Sequence, residues 1–273
     1  MNLKNIVSIQ LDSKPKKVNL NLKTAKDIIL SIPTDFDVIV FPELFASGYF
    51  WDESIKKLSA EIQPEVEEWL KEVSKTYKSA VFAGIGRVDE NGNYKNSMAV
   101  IENGKVKGYY DKRILFRREA EFFTPGKECK VFEIDGVNYG TFLCYEIGFP
   151  EIHRNLALKG AEVIIGSFAF GKSRQRFYDT LTRARAIENG TYLVTSSMTG
   201  TTDSFNFLGY SRIVAPNGEI LSTALEKKGW IYSEIDIEKV DYFRYTESDD
   251  SHGYFNHFKE SILDVKHMKK EKE

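Results

Sequence analysis

Three residues of types suited to acyl chemistry each stand just past an apolar strand pattern in this chain. Cys144 closes the run Val137 to Leu143 (VNYGTFL) and leads into a helical segment. At such a junction backbone N–H groups converge with the positive end of the helix dipole, which should lower the thiol pKa and favour the thiolate. Glu43 follows Val38 to Phe41 (VIVF) by way of Pro42, and Lys112 follows Gly108 to Tyr110 by way of Asp111. A carboxylate, an ammonium and a thiol are the base, electrostatic stabiliser and nucleophile that a cysteine hydrolase requires.

The chain that must position them has 273 residues and a formal net charge of −2, with both signs scattered along it. That length suits a single domain, residues 1–273, with a core over about 1–240 and a C-terminal extension over 241–273. The charge pattern offers no footprint for nucleic acid, and no apolar run approaches membrane-spanning length. The N-terminus begins directly with a strand pattern, so no signal peptide is expected. Two cysteines, Cys129 and Cys144, form neither a disulfide framework nor a C-x-x-C site, which points to a reducing cytoplasm. The charge run Lys266 to Glu273 reads as a solvated end.

Hydrophobic periodicity then alternates strands with helices. Strands are expected over 5–11, 38–41, 80–87, 97–101, 105–110, 137–143, 161–167 and 192–196. Helices are expected over 16–31, 64–77, 152–159 and about 174–189, the last capped by Asn189-Gly190. Asn91-Gly92, Asn103-Gly104 and Asn217-Gly218 mark hairpin turns, the third joining 211–215 to 220–222. Helices interleaved with many strands suggest sheets covered by helices.

Several strings together resemble the nitrilase superfamily of carbon–nitrogen hydrolases, over residues 5 to about 235. VIVFPELFASGY is similar to the glutamate motif, YYDKRILF to the lysine motif and CYEIGFPE to the nucleophile motif. The resemblance makes Glu43 the general base, Lys112 the catalytic lysine and Cys144 the attacking thiol. EAEFFTPG resembles the segment with the family's second glutamate, which falls on Glu119 rather than Glu121. GAEVIIGSFAF, RARAIENGTYLV and GYSRIVAPNGEIL extend the likeness. It implies an α/β fold, a four-layer α-β-β-α sandwich of the nitrilase type, paired into a homo-oligomer through helices near the nucleophile. It also implies a small-molecule amide substrate, an oxyanion held by Lys112 and the backbone N–H of Tyr145, and no metal or organic cofactor.

Other roles compete for the same residues. Cys129 reads as an inert core thiol without a charged partner at motif spacing. Glu146 is expected to orient backbone or neighbouring arginines, and His153, His252, His257 and His267 to be solvated surface groups. Gly84-x-Gly86 is too short for a phosphate loop. Family members with Cys-x-Asp-x-Arg often set that arginine near an acidic substrate; here the two positions read Glu146 and Gly148. Neutral acyl groups are therefore expected over N-carbamoyl acids, unless Arg174 or Arg176 replaces the missing cation. Loops 45–51, 116–123, 168–176 and 199–207 should shape the pocket, with Tyr49, Phe168 and Phe170 as its aromatic candidates. Ureido hydrolysis, nitrile hydrolysis, a soluble N-acyltransferase and a non-catalytic scaffold are the alternative functions. Four intact catalytic residues argue against the scaffold.

Overall fold

A computed structural model describes residues 2–257; the expected charged tail and His267 lie outside them. In chain order the first half runs β1 (Leu3–Gln10), α1 (Val18–Leu30), β2 (Val38–Phe41), α2 (Ser54–Tyr77), β3 (Ala80–Val88), β4 (Tyr94–Glu102) and β5 (Lys105–Asp111). The second half runs α3 (Glu119–Phe122), β6 (Val131–Ile134), β7 (Val137–Leu143), α4 (Pro150–Leu158), β8 (Val163–Phe168), α5 (Gln175–Asn189) and β9 (Tyr192–Ser197). A short ribbon, β10 (Thr199–Thr201) and β11 (Asn206–Leu208), precedes β12 (Arg212–Val214), β13 (Ile220–Thr223), β14 (Gly229–Asp236) and α6 (Glu238–Tyr245).

Two six-stranded sheets result, with orders β14-β1-β2-β3-β4-β5 and β13-β12-β9-β8-β7-β6. In each, the central strands are parallel and the edges antiparallel. Parallel strands buried on both faces read as continuous apolar runs, and VIVF and VIIGSF do so. The inner faces pack on one another through Ile6, Val38, Phe82, Tyr139, Val163 and Val194. The first sheet's outer face is covered by α1 and α2, through Leu22, Ile28, Val66 and Leu70. The second sheet's outer face is covered by α4 and α5, through Ile152, Leu156, Tyr178 and Ala186. This is the four-layer α-β-β-α order expected. Across the middle, Ser167 Oγ on β8 donates to the Phe41 carbonyl on β2 at 2.7 Å, pinning together the two strand ends that bear on the site.

The Asn103-Gly104 turn has positive φ at both residues (52° and 68°), as a two-residue hairpin requires. Gly190 ends α5 in the left-handed region. Several elements depart from expectation, among them α3, β10, β11 and α6, none of which was read from the sequence. Helix α2 begins at Ser54 and carries Pro64 inside it, whereas the proline was read as its start. Strands β6 and β14 were not anticipated: both alternate buried and solvated positions at the end or flank of a sheet, which weakens the apolar signal.

Candidate active site

Glu43 leaves β2 through Pro42 and is fully buried. Its Oε1 accepts from Lys112 Nζ at 2.7 Å and from Asn96 Nδ2 at 2.8 Å, and its Oε2 from the Ala169 N–H at 3.0 Å. Gly84 on β3 lies so close that a Cβ there would overlap the Glu43 Cα and sit 2.7 Å from the Pro42 carbonyl oxygen. The residue after the glutamate, Leu44, takes a positive φ of 49°.

Lys112 leaves β5. Its backbone is held on both sides, the N–H donating to Asn96 O at 2.9 Å and the carbonyl accepting from Gly126 N at 2.8 Å. Its ammonium reaches Glu119 at 2.9 Å as well as Glu43. Two of its three protons are thus engaged and one remains. Glu119, at the start of α3, accepts from Tyr49 Oη at 2.7 Å and from the Phe116 N–H at 2.8 Å. Glu121, its rival, is exposed and pairs with Arg118 at 2.8 Å. Trp51 Nε1 in turn donates to Tyr49 Oη at 3.2 Å.

Cys144 follows β7 with φ at 45° and opens a tight 3₁₀ turn, Cys144–Gly148, that leads to α4. A non-glycine residue in that region costs of order 1–3 kcal/mol and persists only where its surroundings impose it. The imposing group is Glu146, fully buried. It accepts from the N–H of Leu143 (2.7 Å), of Arg113 (2.7 Å) and of Ile114 (3.1 Å), and from Tyr110 Oη at 2.8 Å. It orients backbone, as expected, and ties the thiol turn to the loop after Lys112; the arginine it touches lends its main chain, not its guanidinium.

The electrostatics follow from burial. Burial raises Glu43 above the usual carboxylate range, against the pull of Lys112 and with Glu119 adding to the rise. Burial disfavours the Lys112 ammonium, yet Glu119 and Glu43 overcome it and hold the lysine above its ordinary value, charged. The thiol of Cys144 is pushed well up, first by burial and then by the Glu43 carboxylate, with Lys112 only partly compensating. That corrects the expected thiolate: the helix dipole is outweighed, and the resting sulfur carries its proton.

Around Cys144 opens a cleft of about 320 Å3 drawn from all four expected loops. Tyr49, Trp51, Phe116, Tyr145 and Phe205 form its aromatic walls, and Arg117, Lys172 and Arg174 stand on its rim. Phe168 and Phe170 do not line it. Phe168 packs on Phe142 and Tyr178, and Phe170 on Phe168 and Tyr178, because their backbone direction at the end of β8 turns them into the layer under α5. Trp51 lines the cleft, as the expected loop 45–51 allows; the cations Arg117 and Lys172 had not been singled out, and Arg174 had been noted only as a substitute cation. Arg176, the other, is exposed and outside the cleft.

Two further expectations change. His153 is fully buried against Phe142, its Nδ1 donating to Phe149 O at 3.1 Å, and burial takes its pKa down to about 3. Cys129 is buried as expected, but its sulfur accepts from Arg113 Nη1 at 2.9 Å; burial still raises its pKa. Among the described residues no group of His, Cys, Asp and Glu could hold a metal ion, and no helix is long and apolar enough to cross a membrane.

Comparison with known proteins bears on this geometry. The family model described as carbon-nitrogen hydrolase matches residues 5–245. The 2-oxoglutaramate amidase of Bacillus subtilis is 31% identical over 237 residues, covering 86% of this chain and 91% of that protein. A nitrilase of Pyrococcus abyssi is 32% identical over 210 residues, covering 76% and 77%. Among solved structures, Nit3 of Saccharomyces cerevisiae, a member of branch 10 of the nitrilase superfamily, superposes with a TM-score of 0.79 at 26% identity, covering 89% and 93%.

Proposed function

The chain belongs to the carbon–nitrogen hydrolase family, and from that premise we propose that it hydrolyses a small primary amide to carboxylic acid and ammonia through a thioester on Cys144. The observation that carries the reading is the buried Lys112 ammonium bridging Glu43 and Glu119 beside that thiol. Because the sulfur rests protonated, a base must act, and Glu43, held above the usual carboxylate range by burial, is a stronger base than an ordinary carboxylate. Glu43 takes the thiol proton as sulfur bonds to the amide carbon. The oxyanion is met by the free proton of Lys112 and by the N–H of Tyr145, in the first turn after Cys144, where N–H groups lack helical partners. Glu43 gives its proton to the departing nitrogen, then takes one from water, which attacks the thioester and restores the thiol. Glu119 keeps Lys112 oriented and charged; Tyr49 keeps Glu119 oriented.

Amides are preferred to nitriles in this reading because the likeness to the 2-oxoglutaramate amidase spans more of both chains than the likeness to the nitrilase. We also infer a homo-oligomer, since α4 and α5 leave Leu158 and Phe177 exposed at 48% and 61%. Two unpaired thiols suit a reducing, cytoplasmic setting.

The test is an assay of ammonia and acid over amides, nitriles and ureido acids, with abundant acceptor amine. Amides are expected to yield both products in equal amounts. Cys144→Ala should abolish this and Cys129→Ala should not. A dominant N-acylated product would make the protein a transferase, and equal loss from the two substitutions would remove Cys144 from its role.

A further inference from the structure

The two oxygens of the Glu43 carboxylate are unequally served. Oε1 accepts from Lys112 Nζ at 2.7 Å and from Asn96 Nδ2 at 2.8 Å, which fills both of its lone-pair positions. Among the described residues Oε2 accepts only from the Ala169 N–H, at 3.0 Å, so one position on it stays open. The same Ala169 N–H also faces the Cys144 sulfur. Sulfur and Oε2 therefore meet at one backbone N–H, and Oε2 is the oxygen turned toward the thiol.

Asn96 supplies the second donor to Oε1, and its place on β4 explains how. The register sets Asn96 opposite Gly86 on β3, and Ser97 opposite Asp111 on β5. Side chains alternate along a strand. Lys95 reaches the Pro125 carbonyl and Ser97 the Asp111 carboxylate, while Asn96 turns the other way, buried, onto Glu43. Its main-chain carbonyl meanwhile accepts from the Lys112 N–H at 2.9 Å. One residue thus grips the side chain of the glutamate and the main chain of the lysine. Its Oδ1 is buried without a hydrogen-bond partner among the described residues. Buried amides ordinarily satisfy both ends, and turning this one over would set Oδ1 against a carboxylate oxygen. The amide leaves its acceptor unmet while it donates to Glu43, an arrangement that serves the base rather than the strand.

From this geometry we infer that Asn96 is a positioning residue of the reaction: with Lys112 it fills Oε1 of Glu43, so that Oε2 takes the Cys144 proton. This rests on the amidase reading and assigns the oxygen that moves the proton within it. The S–H bond breaks as sulfur bonds to the amide carbon, and the proton lands on Oε2. It leaves with the nitrogen as the C–N bond breaks. A water proton replaces it as the water oxygen bonds to the thioester carbon, and that proton returns to sulfur as the S–C bond breaks. Oε1 keeps its two donors throughout. The hydrogen bond from Asn96 also favours the charged carboxylate, against burial and Glu119. The titratable groups around Glu43 are Lys112 beyond β5, Glu119 on α3, Cys144 beyond β7 and Tyr49 in the loop after β2. Asn96 is neutral, so replacing it with leucine alters hydrogen bonding and leaves the charge of this group unchanged.

The experiment follows two rates against pH in Asn96→Leu and Asn96→Asp: kcat/KM for ammonia release from an amide, and alkylation of Cys144 by iodoacetamide, read by peptide mass. Leucine keeps the volume and removes the donor; aspartate keeps the shape and sets a like charge beside Glu43. In Asn96→Leu, kcat should fall about 10- to 100-fold, the range for a hydrogen bond to a charged group, with KM little changed. The acid limb of both profiles should move up by about one pH unit, since the carboxylate loses a donor that favoured it, and further in Asn96→Asp. If Asn96→Leu does not fold, the isosteric aspartate variant decides. Acid limbs at the wild-type position in a folded variant overturn the proposal whether or not kcat falls, because a residue with only a packing role lowers activity without moving the base. Shifted alkylation limbs with no ammonia from any amide uphold the coupling of Asn96 to Glu43 and overturn the amidase reading itself.

Discussion

Glu43, Lys112 and Glu119 form a buried group of two carboxylates and one ammonium, and the surplus negative charge is what shapes their behaviour. Since Glu43 sits above its ordinary value of 4.5, it is protonated first as pH falls, and the base is then lost. The acid limb of kcat/KM should therefore lie above the normal carboxylate range, with unit slope. The stability consequence has the opposite sense. A carboxyl whose pKa is raised by folding contributes stability below its unfolded value, and this is lost as pH rises through the folded one. Glu43→Gln should cut kcat by hundreds-fold or more while the protein still folds cooperatively. A variant that keeps near-normal turnover, or loses activity only by unfolding, would contradict the assignment.

At the scale of elements, the site depends on loops at strand ends being tied to one another. Glu146 joins the turn after β7 to β5 and the loop after it by accepting hydrogen bonds from four donors. A glutamine there offers one acceptor oxygen and turns two N–H donors toward donors. Glu146→Gln should cost about 2–4 kcal/mol in denaturant unfolding, as expected for a broken buried network, and lower kcat because Cys144 and Lys112 lose their common anchor. Wild-type stability and turnover together would disprove the anchor. His153 illustrates a different consequence of element packing. On α4 alone it reads as a solvated residue, but α4 lies against β7 and the imidazole meets the Phe142 ring at 4.5 Å between centroids.

For the whole molecule, two sheets face each other with β2, which leads to Glu43, joined to β8 of the other sheet, and the helices form the outer layers. The second sheet's outer layer, α4 and α5, still presents Leu158 and Phe177 to solvent. Static light scattering at micromolar concentration should report at least twice the 31.3 kDa chain mass, and Phe177→Glu should shift the protein toward monomer by placing a charge in an apolar contact. A monomer at that concentration in the unsubstituted protein would refute the assembly.

What the sequence determined by itself was the family and the elements that bring the candidate residues to strand ends. Apolar runs ending in Pro42-Glu43, Asp111-Lys112 and Cys144 are local signals, since strand period and turn residues act over a few positions. The same held for the Asn103-Gly104 hairpin and the Gly190 cap. Tertiary structure alone decided quantities set by distant neighbours. Whether Cys144 rests as thiol or thiolate depends on burial and on Glu43, a hundred residues away in sequence. Phe168 and Phe170 carry no local mark separating pocket from core. Arg174 became a cleft residue only because β8 and α5 bring the loop between them against Phe116. Proximity in space, not spacing along the chain, sets desolvation and charge, so pKa shifts and pocket membership awaited the folded chain.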